Sequence, residues 1–372
     1  MENVRLGLIG IGVRGNGHAE FLLNGEVRNV IVTAMCDNDP KMLEAAKAKY
    51  PDDIQFFSCY KELLASGVCD AVIVGTPHYD HVKISIAAIK AGLHVICEKP
   101  IGVFTKNVHE LLDVAAKSDR VFTMMFNQRT HPVYRRIHDM VRDGELGNLK
   151  RIVWEITDWY RTQYYYDSGG WRGTWDGEGG GVLMNQCPHN VDLWQWMFGM
   201  PDKVWAHCEY GKWHDIQVED DVTVFMKYGD GATGILITTT GESPGTNRLE
   251  VSGDLGKIVF EGRGNTFTFW KNSVAVSKDS LESKLTTKKP EFEKMDITLN
   301  EKETAHQGIV QNFVNAILNG ESLISPGAEG LNSLRLINAF LLSSHKNEML
   351  TIPVDEDEYV TFLEEKIASS KK

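Results

Sequence analysis

Residues 177–192 read GEGGGVLMNQCPHNVD: glycines first, then Asn185, Pro188, His189 and Asp192, with the apolar run LWQWMF behind them. Glycine lets backbone or ligand approach closely, and proline is tolerated in the first turn of a helix. A histidine in that turn lies near the positive end of the helix dipole. This favours its neutral form, which can accept a proton. The chemistry on offer is therefore proton abstraction at His189. The same pattern also suits a plain glycine turn into a buried helix, and the rest of the chain has to decide between the two.

A second set of residues opens the chain. Val4–Ile9 is a continuous apolar strand signal, followed at once by Gly10-Ile11-Gly12-Val13-Arg14-Gly15 and a helical run. In this strand–turn–helix context the glycines allow a tight turn, close approach to a pyrophosphate, and close helix–strand packing. The next strand, 30–36, ends at Asp37, 22 residues past Gly15, near the spacing of about 20 for a ribose-binding acid. A carboxylate there accepts hydrogen bonds from both ribose hydroxyls and repels a 2′-phosphate, so the expected cofactor is NAD rather than NADP. Asp37 can also cap the helix that begins near Pro40.

The elements that position these residues alternate along the first third of the chain. Buried strands over 71–75, 94–97 and 121–126 alternate with helical runs over 60–65, 84–91 and 108–116. Polar residues follow the strands: Thr76, Pro77 and His81; Glu98, Lys99 and Pro100; Asn127 and Arg129. Open parallel sheets bind ligands at the carboxyl ends of their strands. The fold class expected is α/β, an N-terminal Rossmann doubly wound parallel sheet plus a C-terminal α+β domain. The domains expected are 1–127 for the dinucleotide and 128–372 for substrate binding and oligomerisation.

From about Lys150 the strand signals become consecutive: 151–157, 203–210, 221–228, 233–240, 248–251, 257–260 and 266–270. Glycine-rich turns separate them, as in a large, mainly antiparallel sheet. Val222, Val224 and Met226 would form one apolar face. Residues 272–305 read as an exposed excursion, 304–318 and 330–342 as helices with Gly320 a C-cap, and 364–372 as a solvated tail. Between Trp154 and Trp175 lie eight aromatics interleaved with Asp158, Arg161, Asp167 and Arg172. Aromatic faces beside charged hydrogen-bonding groups suit a polyhydroxylated ring, and Asp158, Arg161, Tyr164, Trp171 and Arg172 are the candidates to hold one. A packing loop is the alternative. Trp194 and Trp196 read as core.

Taken together, Gly10-Ile11-Gly12, Thr76-Pro77 with His81, Gly92-Leu93-His94-Val95 running to Glu98-Lys99-Pro100, and the GGGVLMNQCPHNVD stretch resemble the Gfo/Idh/MocA family of nicotinamide-dependent oxidoreductases. The resemblance spans both halves of the chain in the family's order. It implies cofactor contacts at Gly10 to Gly15, Asp37, Thr76, Pro77, His81, Glu98, Lys99 and Asn127. It implies substrate contacts at Lys99, Arg129, Asn185 and His189, and an open sheet face that often joins subunits. The peptide before Pro100 is often cis in the family. The family's catalytic trio is a lysine, an aspartate, and a histidine four residues after the aspartate. Lys99 and His189 match, but the aspartate position holds Asn185. An amide carries no charge and exchanges no proton, although it still makes hydrogen bonds. Asp192 would replace that carboxylate only if the helix turned its side chain back.

Composition sets the outer limits. The chain has 372 residues, long for one core, and a formal net charge of −12 with no basic concentration, which argues against nucleic-acid binding. No apolar stretch approaches about 20 residues, so no membrane span is expected. The N-terminus lacks an export-signal pattern, so a cytoplasmic setting is expected. The six scattered cysteines form no CxxC pair and read as free thiols, with no metal site. The function expected is NAD-dependent hydride transfer with a secondary alcohol of a sugar, glycoside or cyclitol, by a homodimer or homotetramer. Three alternatives are kept: redox-neutral NAD-using glycoside cleavage, a non-catalytic NAD-binding regulator, and reduction of a C=N bond or another carbonyl.

Overall fold

Every residue of β1 (Val4–Ile9) except Arg5 is buried, as a strand covered on both faces requires. In this computed structural model, which describes residues 2–370, β1 lies at the centre of a six-stranded sheet. The other strands are β2 (Val30–Cys36), β3 (Gln55–Phe57), β4 (Ala71–Val74), β5 (His94–Cys97) and β6 (Phe122–Met124). Their order is β3-β2-β1-β4-β5-β6, with every neighbouring pair parallel. The strand order reverses between β1 and β4. Helices α1 (Val13–Leu23), α2 (Pro40–Lys49), α3 (Tyr60–Ala65), α4 (His81–Lys90) and α5 (Thr105–Ala116) connect the strands. This is the doubly wound Rossmann sheet expected, with its switch point beside the Gly10–Gly15 turn.

The chain divides into two compact units. The first takes the chain up to Thr130, then Gly177–Gly179 and Thr304–Leu334; the second takes His131–Asp176, Gly180–Glu303 and Arg335–Lys372. Two contiguous segments, 1–127 and 128–372, are expected from sequence; instead the helix Ala305–Asn319 returns to the first unit. The physical reason is apolar burial. Helix Ala305–Asn319 carries Ile309, Val310, Phe313 and Val314 into the same core as Leu6, Leu8 and Ile73.

The second unit is built on a nine-stranded sheet. Its strands are β7 (Leu149–Ile156), β8 (Lys203–Tyr210), β9 (Glu219–Lys227), β10 (Thr233–Thr239), β11 (Asn247–Gly253), β12 (Gly256–Glu261), β13 (Thr266–Asn272), β14 (Phe292–Thr298) and β15 (Leu350–Thr351). They run in the order β14-β13-β12-β11-β7-β10-β9-β8-β15. All pairs are antiparallel except β7 with β10. Val222, Val224 and Met226 alternate on the buried face, with Trp154 and Leu236 beside them. Helices α6 (Pro132–Arg142), α7 (Gln163–Asp167), α8 (Val182–Asn185) and α9 (Pro188–Phe198) complete the part of this unit that carries candidate residues.

Two readings of the C-terminal half change. The excursion over 272–305 is largely exposed, yet it supplies the helix Val276–Glu282 and the edge strand β14. The expected solvated tail, 364–372, is exposed or half-exposed as far as Ser370, but it is the end of a helix, Glu356–Ser370, whose earlier residues Tyr359, Phe362 and Leu363 are buried. Lys371 and Lys372 lie outside the described residues. Gly320 does end its helix in the left-handed region, at φ 71°.

Candidate active site

The turn after β1 is shaped by its glycines. Gly10 has φ 90°, and a Cβ on Gly15 would lie 2.0 Å from the Gly10 carbonyl oxygen. At Gly12 a Cβ would meet nothing within 4 Å, so the backbone faces open space. Gly12 is also the N-cap of α1, with no side chain satisfying the first-turn N–H groups. Together with the dipole, those donors form an anion-binding helix end. Ile11 is buried, while Gly12, Val13 and Arg14 are exposed along the rim. Asn16, which donates to Ile11 O at 2.6 Å and accepts from Tyr50 Oη at 2.6 Å, braces the turn.

Asp37 accepts from Ile11 N at 2.8 Å through Oδ2 and from Asp39 N at 3.0 Å through Oδ1. It thus ties the end of β2 to the glycine turn, and each oxygen keeps a lone pair for a ribose hydroxyl. It does not cap α2: Asp39 does so, accepting from Lys41 N at 2.9 Å.

At the carboxyl ends of β4 and β6, Thr76 Oγ1 and Asn127 Oδ1 are buried and have no hydrogen-bond partner among the described residues. Buried polar atoms are normally paired. Two such orphans, an open Gly12 and an uncapped helix terminus all fit a bound dinucleotide. Pro77 is exposed beside Thr76. Among the described residues, no group of three or more His, Cys, Asp or Glu is arranged to hold a metal ion, and no helix is long and apolar enough to cross a membrane.

Three residues of the first unit expected at cofactor or substrate have other partners. His81 is buried with Nδ1 2.7 Å from Pro100 O and Nε2 2.7 Å from Thr76 O. It fixes the two loops to each other instead of turning its ring to a ligand. Glu98 points inward, with Oε1 2.7 Å from His18 Nε2 and Oε2 accepting from Lys99 N at 3.2 Å. Arg129 is 1% exposed and paired with Glu329, donating also to Ile324 O at 3.3 Å. A guanidinium so enclosed is a structural ion pair, since burial makes an unpaired charge costly. Lys99 itself is largely buried at the end of β5, and the Lys99–Pro100 peptide is cis. His18 was missed by sequence, although Gly15, His18, Ala19 and Leu22 form one buried helical stripe.

In the second unit a Cβ on Gly181 would lie 1.9 Å from the Glu219 carbonyl oxygen, so glycine is required where α8 meets β9. Glu219 Oε1 accepts from Leu183 N at 3.1 Å in the first turn of α8. Pro188 then opens α9 with His189 beside it in the first turn, where the positive helix end favours the neutral imidazole. His189 is largely buried. Asp192 is fully buried and its Oδ1 accepts from Gln195 Nε2 at 3.0 Å, one turn further along the helix. That contact holds one of its carboxylate oxygens along α9.

Asn185 is instead met by Tyr165. Asn185 Nδ2 and Gln186 Nε2 each donate to Tyr165 Oη at 3.2 Å. Arg161 Cζ lies 5.1 Å and Arg172 Cζ 4.6 Å from the centroid of the same ring. Tyr164, the sequence candidate, is 78% exposed; the helix α7 turns its neighbour inward. Three consecutive tyrosines on a five-residue helix offer no period from which to choose. Trp171 packs against Arg172, 5.1 Å from ring centroid to Cζ. Asp158 Oδ2 accepts from Arg263 Nε at 3.0 Å, a partner the sequence did not suggest. Trp154, Tyr166 and Trp175 are core, as is Trp194, while Trp196 stacks on His138 at 4.0 Å. Burial pushes the thiols of Cys36, Cys97 and Cys187 up to about 12, which removes them as nucleophiles near neutral pH.

Both halves of the chain resemble known proteins. The family described as "Oxidoreductase family, NAD-binding Rossmann fold" matches residues 4–126, and "GFO/IDH/MocA C-terminal domain" matches 134–259. The putative oxidoreductase YteT of Bacillus subtilis is 28% identical over 205 residues, 51% of this chain and 46% of that protein's length. Inositol 2-dehydrogenase of Rhizobium meliloti is 24% identical over 355 residues, 94% of this chain and 99% of that one. The crystal structure of the WlbA dehydrogenase from Bordetella pertussis, in complex with NADH and UDP-GlcNAcA, has a TM-score of 0.77 and 25% identity. It covers 95% of this chain and 100% of its own. The chain belongs to the Gfo/Idh/MocA family of oxidoreductases, and its N-terminal domain is the family's NAD-binding Rossmann fold.

Proposed function

We propose that this protein catalyses hydride transfer between NAD and a secondary alcohol of a sugar, glycoside or cyclitol. The observation that carries the reading is the joint presence of Lys99 at the carboxyl end of β5 and His189 in the first turn of α9. When bound, NAD supplies the hydride acceptor. His189, kept neutral by the helix terminus, accepts the hydroxyl proton as the alcohol is oxidised. The Lys99 ammonium stabilises the negative charge that grows on that oxygen. Gly12, the α1 terminus, Thr76 and Asn127 bind and orient the dinucleotide, and Asp37 selects NAD over NADP at the ribose. Tyr165, Trp171 and the two arginines supply a face for the substrate ring. The full-length likeness to an inositol 2-dehydrogenase supports a polyol substrate.

The half-exposed face of the large sheet carries Phe225, Ile235 and Ile237, and we read it as the contact surface of a homodimer or homotetramer. Light scattering that returns a monomer mass would remove that reading. The catalytic proposal is tested by offering sugars, glycosides and cyclitols with NAD and with NADP, following absorbance at 340 nm and product together. NADH formation with a free sugar or cyclitol is expected. Sugar release from a glycoside without net NADH would instead identify redox-neutral cleavage, and no substrate-dependent change with any compound would identify a non-catalytic NAD-binding protein.

A further inference from the structure

Arg161 and Arg172 are an unusual pair in a chain of net charge −12. Both guanidinium carbons lie about 5 Å from the Tyr165 ring centroid, so the two charges are within about 10 Å of each other. Among the described residues neither is paired with a carboxylate. Arg161 donates to the backbone oxygens of Trp159 and Tyr160, at 3.4 and 2.9 Å, and the buried Arg172 Nε has no partner. The nearby carboxylates are engaged elsewhere, Asp158 with Arg263 and Asp167 with Gln163. Two like charges held together without a counterion repel each other and raise the local potential, a state that favours an anionic ligand.

The pair is also held in place. Arg161 N donates to Thr240 O at 2.9 Å, and the ring of His214, itself 3.0 Å from Asp220, lies 2.9 Å from Arg161 O. Arg172 Cζ lies over the rings of both Tyr165 and Trp171, 4.6 and 5.1 Å from their centroids, and a Cβ on Gly169 would lie 2.8 Å from its Nη1. A guanidinium held over aromatic rings can still offer its N–H fork for bidentate contact with a carboxylate or phosphate, and the Arg172 Nε has no other partner among the described residues. Tyr165 Oη, at the far end of the same ring, touches Asn185. The arginine pair and Asn185 thus share one tyrosine side chain.

We propose that Arg161 and Arg172, gathered on the Tyr165 ring, form a subsite for an anionic substituent, so that the alcohol oxidised belongs to an acidic sugar. This rests on the oxidoreductase reading for the word "oxidised" but not for the binding. Either a carboxylate or a phosphate presents the planar or tetrahedral oxygens that such a fork accepts. Neutral sugars would leave both charges uncompensated.

The test uses the NAD-loaded protein and matched probes: D-glucuronate and D-galacturonate against D-glucose and D-galactose for the carboxylate, and glucose 6-phosphate against glucose for the phosphate. Calorimetric affinities are expected to favour at least one acid over its parent by about 10–100-fold, the factor for a charge-assisted hydrogen bond. The preference should weaken with added salt, fall to near unity in Arg172→Gln, and be partly kept in Arg172→Lys, with NADH binding unchanged in both. Arg161→Gln provides a second variant should Arg172→Gln fold poorly. The proposal is overturned if every acid binds no better than its neutral parent, or if the preference survives both substitutions. Hydride transfer from neutral polyols with no acid preference would sink the subsite alone. Acid preference without hydride transfer from any compound would sink the oxidoreductase reading alone.

Discussion

His18 Nε2 lies 2.7 Å from Glu98 Oε1, with both side chains buried, immediately before the lysine that ends β5. Burial opposes ionisation of Glu98, but the His18 contact, with the charges of Arg14 and Lys99, outweighs it and holds the carboxyl well below its usual range. His306, its ring 5.6 Å from that of His18, is pushed down to about 4, chiefly by burial, and His78 to about 3 for the same reason.

These shifts give stability a definite pH slope. A carboxylate with a depressed folded pKa contributes stability that is present above its unfolded value and lost as pH falls toward its folded one. Imidazoles held neutral act in the same direction, because below about 6.5 the unfolded chain takes up protons that the folded chain refuses. Stability should fall steadily as pH drops from about 7 to 4. Urea midpoints measured across that range check it, and a constant midpoint would contradict it. His18→Ala, which strands the buried carboxylate, should cost about 3–5 kcal/mol at neutral pH, and His18→Ala with Glu98→Gln less.

Asp37 is expected to decide the cofactor. It serves two purposes, since its carboxylate also holds Ile11 N and Asp39 N. Asp37→Ser should therefore lower the ratio of kcat/KM for NAD over NADP at least about tenfold, one missing favourable contact and one missing repulsion. KM for NAD itself should rise because the turn loses its brace. A wild-type enzyme that prefers NADP would refute this assignment directly.

Much of the first unit is legible because its signals are local. An apolar strand, a glycine turn and an acid 22 residues on describe contacts that the chain makes with near neighbours. The large sheet was legible through its alternation, as with Val222, Val224 and Met226. What escaped depends on distant partners. Nothing near Arg129 announces Glu329, and nothing near Asp158 announces Arg263. Helix Ala305–Asn319 shows its apolar stripe in the sequence but not the sheet it covers. Tyr165 rather than Tyr164 faces Asn185 because of how a single short helix turns, and no residue pattern fixes that.

The roles proposed for His189 and Lys99 should show in the chemical step and not in cofactor binding. His189→Ala is expected to lower kcat by about 10²–10⁴-fold with the Kd for NADH near that of the parent. Lys99→Ala should also lower kcat, because in the proposed mechanism the charge it offsets develops only in the transition state. Stopped-flow absorbance and NADH fluorescence titration measure the two quantities. Full activity in His189→Ala would remove that residue from the chemistry.

The amide at 185 sets up a different experiment. As Tyr165 Oη accepts from both Asn185 and Gln186, its two lone pairs are in use and its own proton must point away from them. A carboxylate at 185 accepts only, so in Asn185→Asp the tyrosine proton would turn back to it. The new negative charge would also favour the protonated form of His189, four residues on, and raise the pH needed to keep that residue a base. The acid limb of the kcat/KM profile should therefore move to higher pH in Asn185→Asp and stay in place in Asn185→Ala. Asn185→Asp with Tyr165→Phe isolates the charge, since no hydroxyl is left to reorient, and the limb should still move. If the limb is unmoved in both aspartate variants, Asn185 does not act on the proton acceptor at all.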